Sequence, residues 1–398
     1  MMRISTAQAF ATSVATLQKR QQEMSEAQAQ LTSGLRVLRA SDDPTAAARA
    51  ERARALMQRT DSTQRALDAS RNAMQLTESA LADAGELIQQ AHELMVSAGN
   101  ASYTDAERAD VANQIMALRN QLLGVANRGD GTGGYIFAGQ GASQPPFIDR
   151  PGGVDYIGYG GSVRVASAEP LPLTLDGNAT WLGANSGNGV FVTSALSSQT
   201  AWIDSGRVTN PEDLTGSTYT IEFTEVGGAM TYSIYQDGVA TSVFEAPYTE
   251  GTAIEFDGIA VNISGIPAAG DQFEVAPSTP DLSVFDVMDR VINELKTPSR
   301  TNAQISQTVQ SGMRDLEAAR NHLQSSRSMT GELLNRIDGA EGRNADLNLF
   351  AEGTRSAAED LDMIQAISDF QNQQTGYSAA LQTYASMQRM SLFDYIQP

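Results

Sequence analysis

The sequence predicts an α+β protein: long helices from both chain ends form a discontinuous, antiparallel coiled-coil core, and one antiparallel β-rich domain is inserted between them. Three observations predict it. Apolar residues step by alternating fours and threes near the N-terminus, they do so again near the C-terminus, and between them the hydrophobic period falls to two.

The first element occupies residues 1–44. Phe10, Val14, Leu17, Gln21, Met24, Gln28, Leu31 and Leu35 form a narrow seam on one side of a helix, and a seam that narrow needs a partner helix. A second helix opens at Asp43-Pro44, with Asp43 at the N-cap, Pro44 at the first helical position and Ala46, Ala47 and Ala48 carrying it on. Asp42 and Asp43 are therefore read as a helix entry; adjacent carboxylates point apart and suit neither acid-base catalysis nor a cation.

Residues 45–139 read as the first half of a helical domain. Leu67, Met74, Leu81, Ile88 and Met95 recur every seven residues, and Ser70, Thr77, Ala84 and Ala91 make a smaller parallel set that lets a neighbouring helix come close. Thr104 and Glu107 have capping-box spacing. They open a further seam of Val111, Ile115, Leu118, Leu122 and Val125. The glycine-rich stretch around Gly131, Gly133 and Gly134 lacks the Lys-Ser or Lys-Thr of a phosphate loop and reads as a linker.

Residues 140–282 read as the β-rich insert. Short alternating runs end at Phe223, Tyr235, Phe256, Ile263 and Val275, with Asp237-Gly238 and Asp257-Gly258 as hairpin turns. Helical periodicity returns in residues 283–344 with Phe285, Met288, Ile292 and Leu295. A long heptad run from Ile305 through Val309, Gly312, Leu316, Ala319 and Leu323 to Ile337 then pairs with the helix of Leu67 to Met95. The last element, 345–398, is a C-terminal core helix with a seam of Met363, Ile367, Phe370, Gln374, Tyr377, Leu381 and Tyr384; Leu392 and Phe393 near its end join the candidate contacts.

Charge and composition narrow the function classes. The net charge of -20 argues against nucleic acid or an anionic membrane as partner. Its distribution is uneven: residues 1–60 hold nine basic and five acidic side chains, 349–398 hold two and six, and 140–282 hold three and 17. The chain ends are thus oppositely charged, and the acid of the middle keeps that domain soluble. Cysteine is absent, which excludes disulfides, thiolate metal sites and thiol catalysis. The first residues lack the apolar run of a cleaved signal peptide, so a secreted product would need another route. The two histidines, His92 and His322, stand alone on predicted helices, and lysine occurs only at 19 and 296. No cofactor, metal or catalytic residue is expected.

Three stretches resemble a known family. The run LTSGLRVLRASDDPTAAARA, from Leu31 to Ala50, resembles the N-terminal signature of bacterial flagellins and their relatives. YIFAG, from Tyr135 to Gly139, and the ending from Asp360 to Ile396 are similar to the hook-associated, hook-filament junction members of that family, the FlgL type. The close Ser391-Leu392-Phe393-Asp394-Tyr395-Ile396 departs from the usual flagellin ending.

The resemblance implies a structural flagellar subunit whose terminal helices pair along the inner core of a tubular axis. It implies as partners a hook-associated protein on the hook side, flagellin on the filament side, further copies in a ring, and an export chaperone before unfolded, type III secretion. Flagellin itself is the nearer alternative, and a secreted coiled-coil adhesin or an enzyme in the β domain the more distant one.

Overall fold

The computed structural model describes the backbone of residues 6–141, 144–164 and 170–396, and the side chains of residues 8, 10–141, 144–164 and 170–386. It is α+β, as the sequence predicts, and comprises two compact units, Met1–Arg65 with Glu341–Pro398, and Ala66–Ala340. Two long helices, α2 (Pro44–Ala98) and α6 (Asn302–Glu359), contribute a segment to each.

In the first unit, α1 (Thr6–Ser33) stops at Gly34, which adopts φ +72°, a left-handed conformation that glycine takes without a Cβ penalty. Asp43 caps α2 by accepting from the amides of Thr45 (3.1 Å) and Ala46 (3.0 Å), and Asp42 closes the preceding turn by accepting from Arg39 (2.8 Å). The alanines after it serve packing: Ala46 and Ala50 are buried against Ala358 and Val37. The C-terminal element differs from the expected continuous helix over 345–398. The α6 helix ends at Glu359, because Asp360 leaves it to form an antiparallel bridge with Leu35, and α7 (Met363–Ile396) restarts under a cap from Asp362.

In the second unit, the heptad sets of α2 are buried. Leu67, Met74, Leu81, Ile88 and Met95 lie inside together with Ser70, Thr77, Ala84 and Ala91. Facing them on α6 are Ile305, Val309, Leu316, Ala319, Leu323 and Ile337. Gly312 falls where a Cβ would lie 2.6 Å from Val291 Cγ2, so only glycine fits this approach of α6 to α5 (Val284–Lys296). The α3 helix (Asp105–Ala126) opens on the full capping box of Thr104 and Glu107.

The boundary of the β-rich insert also differs from expectation. The β1 (Phe147–Arg150) and β2 (Gly153–Tyr156) hairpin and the short α4 (Gly177–Trp181) belong to the helical core. Phe147, Tyr156 and Trp181 form an aromatic cluster with Phe137 and Phe285, in which the Phe137 and Trp181 ring centroids are 5.3 Å apart, edge to face. YIFAG threads this cluster. Ile136, Phe137 and Ala138 are buried, and a Cβ on Gly139 would lie 1.7 Å from the Tyr159 carbonyl oxygen.

A sheet with its own core runs from Phe191 to Pro277. Its strands are β3 (Phe191–Ser197), β4 (Ala201–Ile203), β5 (Arg207–Val208), β6 (Tyr219–Val226), β7 (Ala229–Gln236), β8 (Val239–Ala240), β9 (Ala246–Pro247), β10 (Ile254–Phe256), β11 (Ile259–Val261), β12 (Ile263–Gly265) and β13 (Gln272–Pro277). The main sheet has the order β3-β13-β6-β7-β8 and is antiparallel throughout, with β9 also on β7. The Asp237-Gly238 and Asp257-Gly258 turns have positive φ at both residues (47° and 82°, 38° and 75°), as a type I′ hairpin requires. Side chains of α6 hold the strands: Gln307 accepts from the Ile203 amide (2.9 Å), and Arg314 donates to the Thr193 carbonyl (3.1 Å).

Candidate assembly interface

The terminal helices α1 and α7 pair antiparallel. As α1 advances from Phe10 through Arg20 to Leu35, its partner on the other side falls from Tyr384 through Gly376 to Asp360. The Phe10 and Tyr384 rings lie 5.4 Å apart at one end, and Arg20 lies over Gly376, where a Cβ would meet its guanidinium at 2.5 Å.

At the other end the backbone closes the register. Arg36 donates its amide to the Glu359 carbonyl (2.7 Å), and Leu361 donates to the Gly34 carbonyl (2.9 Å). Arg36 also donates through Nη2 to the Ala358 carbonyl (2.6 Å), an unpaired group at a helix end, and forms an ion pair with Asp43 (3.4 Å). Asp43 lies below the usual carboxylate range, held down first by the Ala46 amide. Beneath this joint the buried Glu359 accepts from Arg54 (2.5 Å) and Arg355 (3.0 Å). The Arg54 guanidinium lies above its ordinary range, chiefly through its hydrogen bond to Glu51.

The candidate contacts separate into two groups. Val14, Leu17, Met24 and Leu31 are half-buried along α1, and Phe10 is more open although it meets Tyr384. Leu35 is not on the helix seam, since the chain has left α1 at Gly34. On α7 the half-buried line runs Ala366, Phe370, Gln373, Tyr377, Ala380 and Tyr384. Phe370, Tyr377 and Tyr384 are on it; Met363, Ile367 and Leu381 are off it, at 43%, 46% and 43% exposure. The side chains of Leu392 and Phe393 lie outside the described residues.

The physical reason is that two registers fit the same steps of three and four, and the pair uses the one with small residues between its aromatics. Gln373 completes it, its side-chain oxygen enclosed with no hydrogen-bond partner. Arg36, Arg54, Glu359 and Gly376 were not expected; only Arg36 had a signal, its place inside the Leu31–Ala50 signature.

Among the described residues, the charges of the ends do not zip the pair. Lys19 pairs within α1 to Glu23 (3.8 Å), and the register sets Asp369 level with Glu26 instead of with a base. None of the described side chains of α1 or α7 is fully buried. A two-helix pair has one covered side each, so its stability is marginal until something covers the rest.

Elsewhere the charged groups serve the fold. Arg119, enclosed between α3, β1 and α5, donates to Asp149 (2.5 and 2.7 Å) and Asp289 (2.8 Å). His322 meets the Ala179 carbonyl at 2.7 Å. Among the described residues no cluster of His, Cys, Asp or Glu is placed to hold a metal ion, and no helix is long and apolar enough to cross a membrane.

Residues 4–142 match the model of the bacterial flagellin N-terminal helical region, and residues 192–277, the sheet, match that of the flagellar hook-associated protein 1 D2-like domain. The chain is 25% identical to flagellar hook-associated protein 3 of Escherichia coli K12, over 98% of this chain and 99% of that one. Among solved structures, the flagellar junction protein FlgL of Legionella pneumophila superposes with a TM-score of 0.69 at 27% identity, covering 78% of this chain and all (100%) of that one. FlgL of Xanthomonas campestris gives 0.69 at 28%, covering 77% and 99%. The chain is thus similar to flagellar hook-associated protein 3 (FlgL) along nearly its whole length, and its first third to a flagellin N-terminal helical region.

Proposed function

We propose that this chain is a non-enzymatic structural subunit of the bacterial flagellum, forming the junction ring between hook and filament. The observation that carries this reading is the similarity to flagellar hook-associated protein 3, which spans nearly the whole chain and includes a terminal helix pair with no fully buried side chain among those described. Such a pair gains its stability on assembly. Before assembly it passes unfolded through a narrow export channel, with a chaperone holding the C-terminal helix. In the ring a hook-associated protein lies on the hook side, flagellin on the filament side, and copies of this chain on either flank. The subunit acts by geometry and adhesion.

Immunogold electron microscopy of intact flagella, with an antibody to the sheet of Phe191–Pro277, tests it. Label confined to the hook-filament boundary is the expected result. Label along the filament would make the chain a flagellin, the reading favoured by its flagellin-type N-terminal region alone. A flagellum without label would return the question to an adhesin.

A further inference from the structure

The β3 strand stands at one end of the strand order, so one of its edges pairs with no other strand. Successive residues of an antiparallel strand turn their amide and carbonyl to opposite edges. The Phe191 amide and carbonyl both meet Asn188, and the Thr193 carbonyl accepts from Arg314 Nη1 at 3.1 Å, so both residues face away from β13. Ala195 follows two positions on, before the register shift opposite Gln272 and Phe273, and turns its amide and carbonyl to the same free edge.

This edge is one wall of a cleft of about 710 Å³, the size of an ordinary ligand site, and the wall runs unbroken from Val192 to Ala201. Opposite it, α5, α6 and the turn between them contribute Arg290, Glu294, Arg300, Gln307 and Arg314. With helices on its far side, the cleft bars the edge of a folded sheet and leaves room for a single extended chain. Its charge is unbalanced along the helical wall. The buried Asp315 receives both Arg290, through Nη2, and Arg314, through Nε at 2.9 Å, so two guanidiniums share one carboxylate. Arg300 and Glu294 pair at 3.1 Å and cancel. Asp271 on the sheet side is already engaged by the Ser198 hydroxyl (2.8 Å) and the Ala268 amide (2.9 Å). Among the described residues, Nε and Nη1 of Arg290 and Nη2 of Arg314 meet no acceptor, and Arg290 is 43% exposed.

We propose that this cleft binds an extended acidic peptide, which adds to the free edge of β3 through its main chain and places carboxylates on Arg290 and Arg314. Each half of the site has its own task. The Ala195 amide and carbonyl supply the pairing that any extended chain can use, and the unfilled guanidinium donors select the sign of its side chains. The site lies wholly within the second unit and does not rest on the assembly reading.

The test titrates the full chain onto a fluorescein-labelled peptide of alternating glutamate and valine, Glu-Val-Glu-Val-Glu, and follows anisotropy. Saturable binding is expected, weaker by about tenfold or more when the backbone amides of the peptide are N-methylated, which keeps its charge and removes its main-chain donors. Equal binding of the two peptides would reduce the cleft to a charged surface, and equal binding of a peptide with lysine in place of glutamate would leave the arginines no role. Either result, or no saturation at all, overturns the proposal. Two variants locate the site. Arg290→Gln should weaken binding by about tenfold, the loss of one charge-assisted contact. Ala195→Pro removes a donor at a position where an edge strand tolerates proline, and should abolish binding while the thermal transition of the chain is kept. A folded Ala195→Pro chain that binds as the parent does would refute the edge, and the N-methylated peptide decides the same point whether or not that variant folds.

Discussion

The Phe10 ring lies 5.4 Å from the Tyr384 ring, tilted by 41°, so residues near opposite ends of the chain fix the register of the terminal helices. Aromatic pairs of this geometry contribute about 0.5–1.5 kcal/mol beyond area burial. Phe10→Ala and Tyr384→Ala should each speed amide exchange in α1 of the full chain, and the double variant should do little more than either alone. Additive effects would mean that the rings act independently.

A charge in the seam should separate export from attachment. Leu17→Asp or Phe370→Asp breaks the pairing of α1 with α7, and should leave export intact while abolishing attachment at the hook tip. Secreted protein in the medium and the fraction of cells with filaments measure the two separately. Normal filaments from either variant would show that these half-buried positions are not the seam.

The joint depends on one buried carboxylate. Glu359→Gln keeps the shape but loses the charge that accepts from Arg54 and Arg355. Because Arg54 is partly exposed, the expected loss is about 1–2 kcal/mol, below that of a fully buried pair. Chemical denaturation followed through the first unit's helices would read it, and an unchanged midpoint would assign Glu359 no part in holding the joint.

These sites mark how far the sequence could be read. The α2 and α6 cores were legible because a large and a small residue set repeat at the same period, leaving one register. The α7 seam was not, since Met363, Ile367 and Leu381 are larger than Ala366 and Ala380, and sequence reasoning favours size. The joint of Arg36 with Glu359 is a contact between distant segments without local signal. Phe147, Tyr156 and Trp181 have no period at all, which is why they were read as part of the β insert and apart from Phe137, their partner in the core.

That boundary has a direct consequence for deletion. Ser186 donates its amide to the Thr279 carbonyl at 2.9 Å, so the segments that enter and leave the sheet lie side by side and can be joined. Removing residues 191–277 with a short glycine linker should leave the helical domain folded, with its cooperative thermal transition retained. Removing residues 143–277 takes Phe147, Tyr156 and Trp181 from the core; at about 3–5 kcal/mol for each large aromatic lost, the remainder should not fold. Equal behaviour of the two deletions would contradict the position of the core.

Arg119 offers a pH-dependent test of the same core. It bridges Asp149 and Asp289, and its hydrogen bonds hold Asp149 below the usual carboxylate range. That stabilisation is present above the unfolded value near 3.8 and is lost as pH falls through the lower folded value. Asp286 nearby is shifted the other way, up, by burial and then by Asp289, and Arg119 opposes that shift. Arg119→Met leaves the three carboxylates without their cation, so it should cost about 1–3 kcal/mol at neutral pH. Acid protonates those carboxylates in the variant and removes the advantage in the parent, so the gap between their melting temperatures should narrow as pH falls below the unfolded value and through the lower folded one. A gap that stays constant with pH would mean that Arg119 contributes by packing its stem and not by its charge.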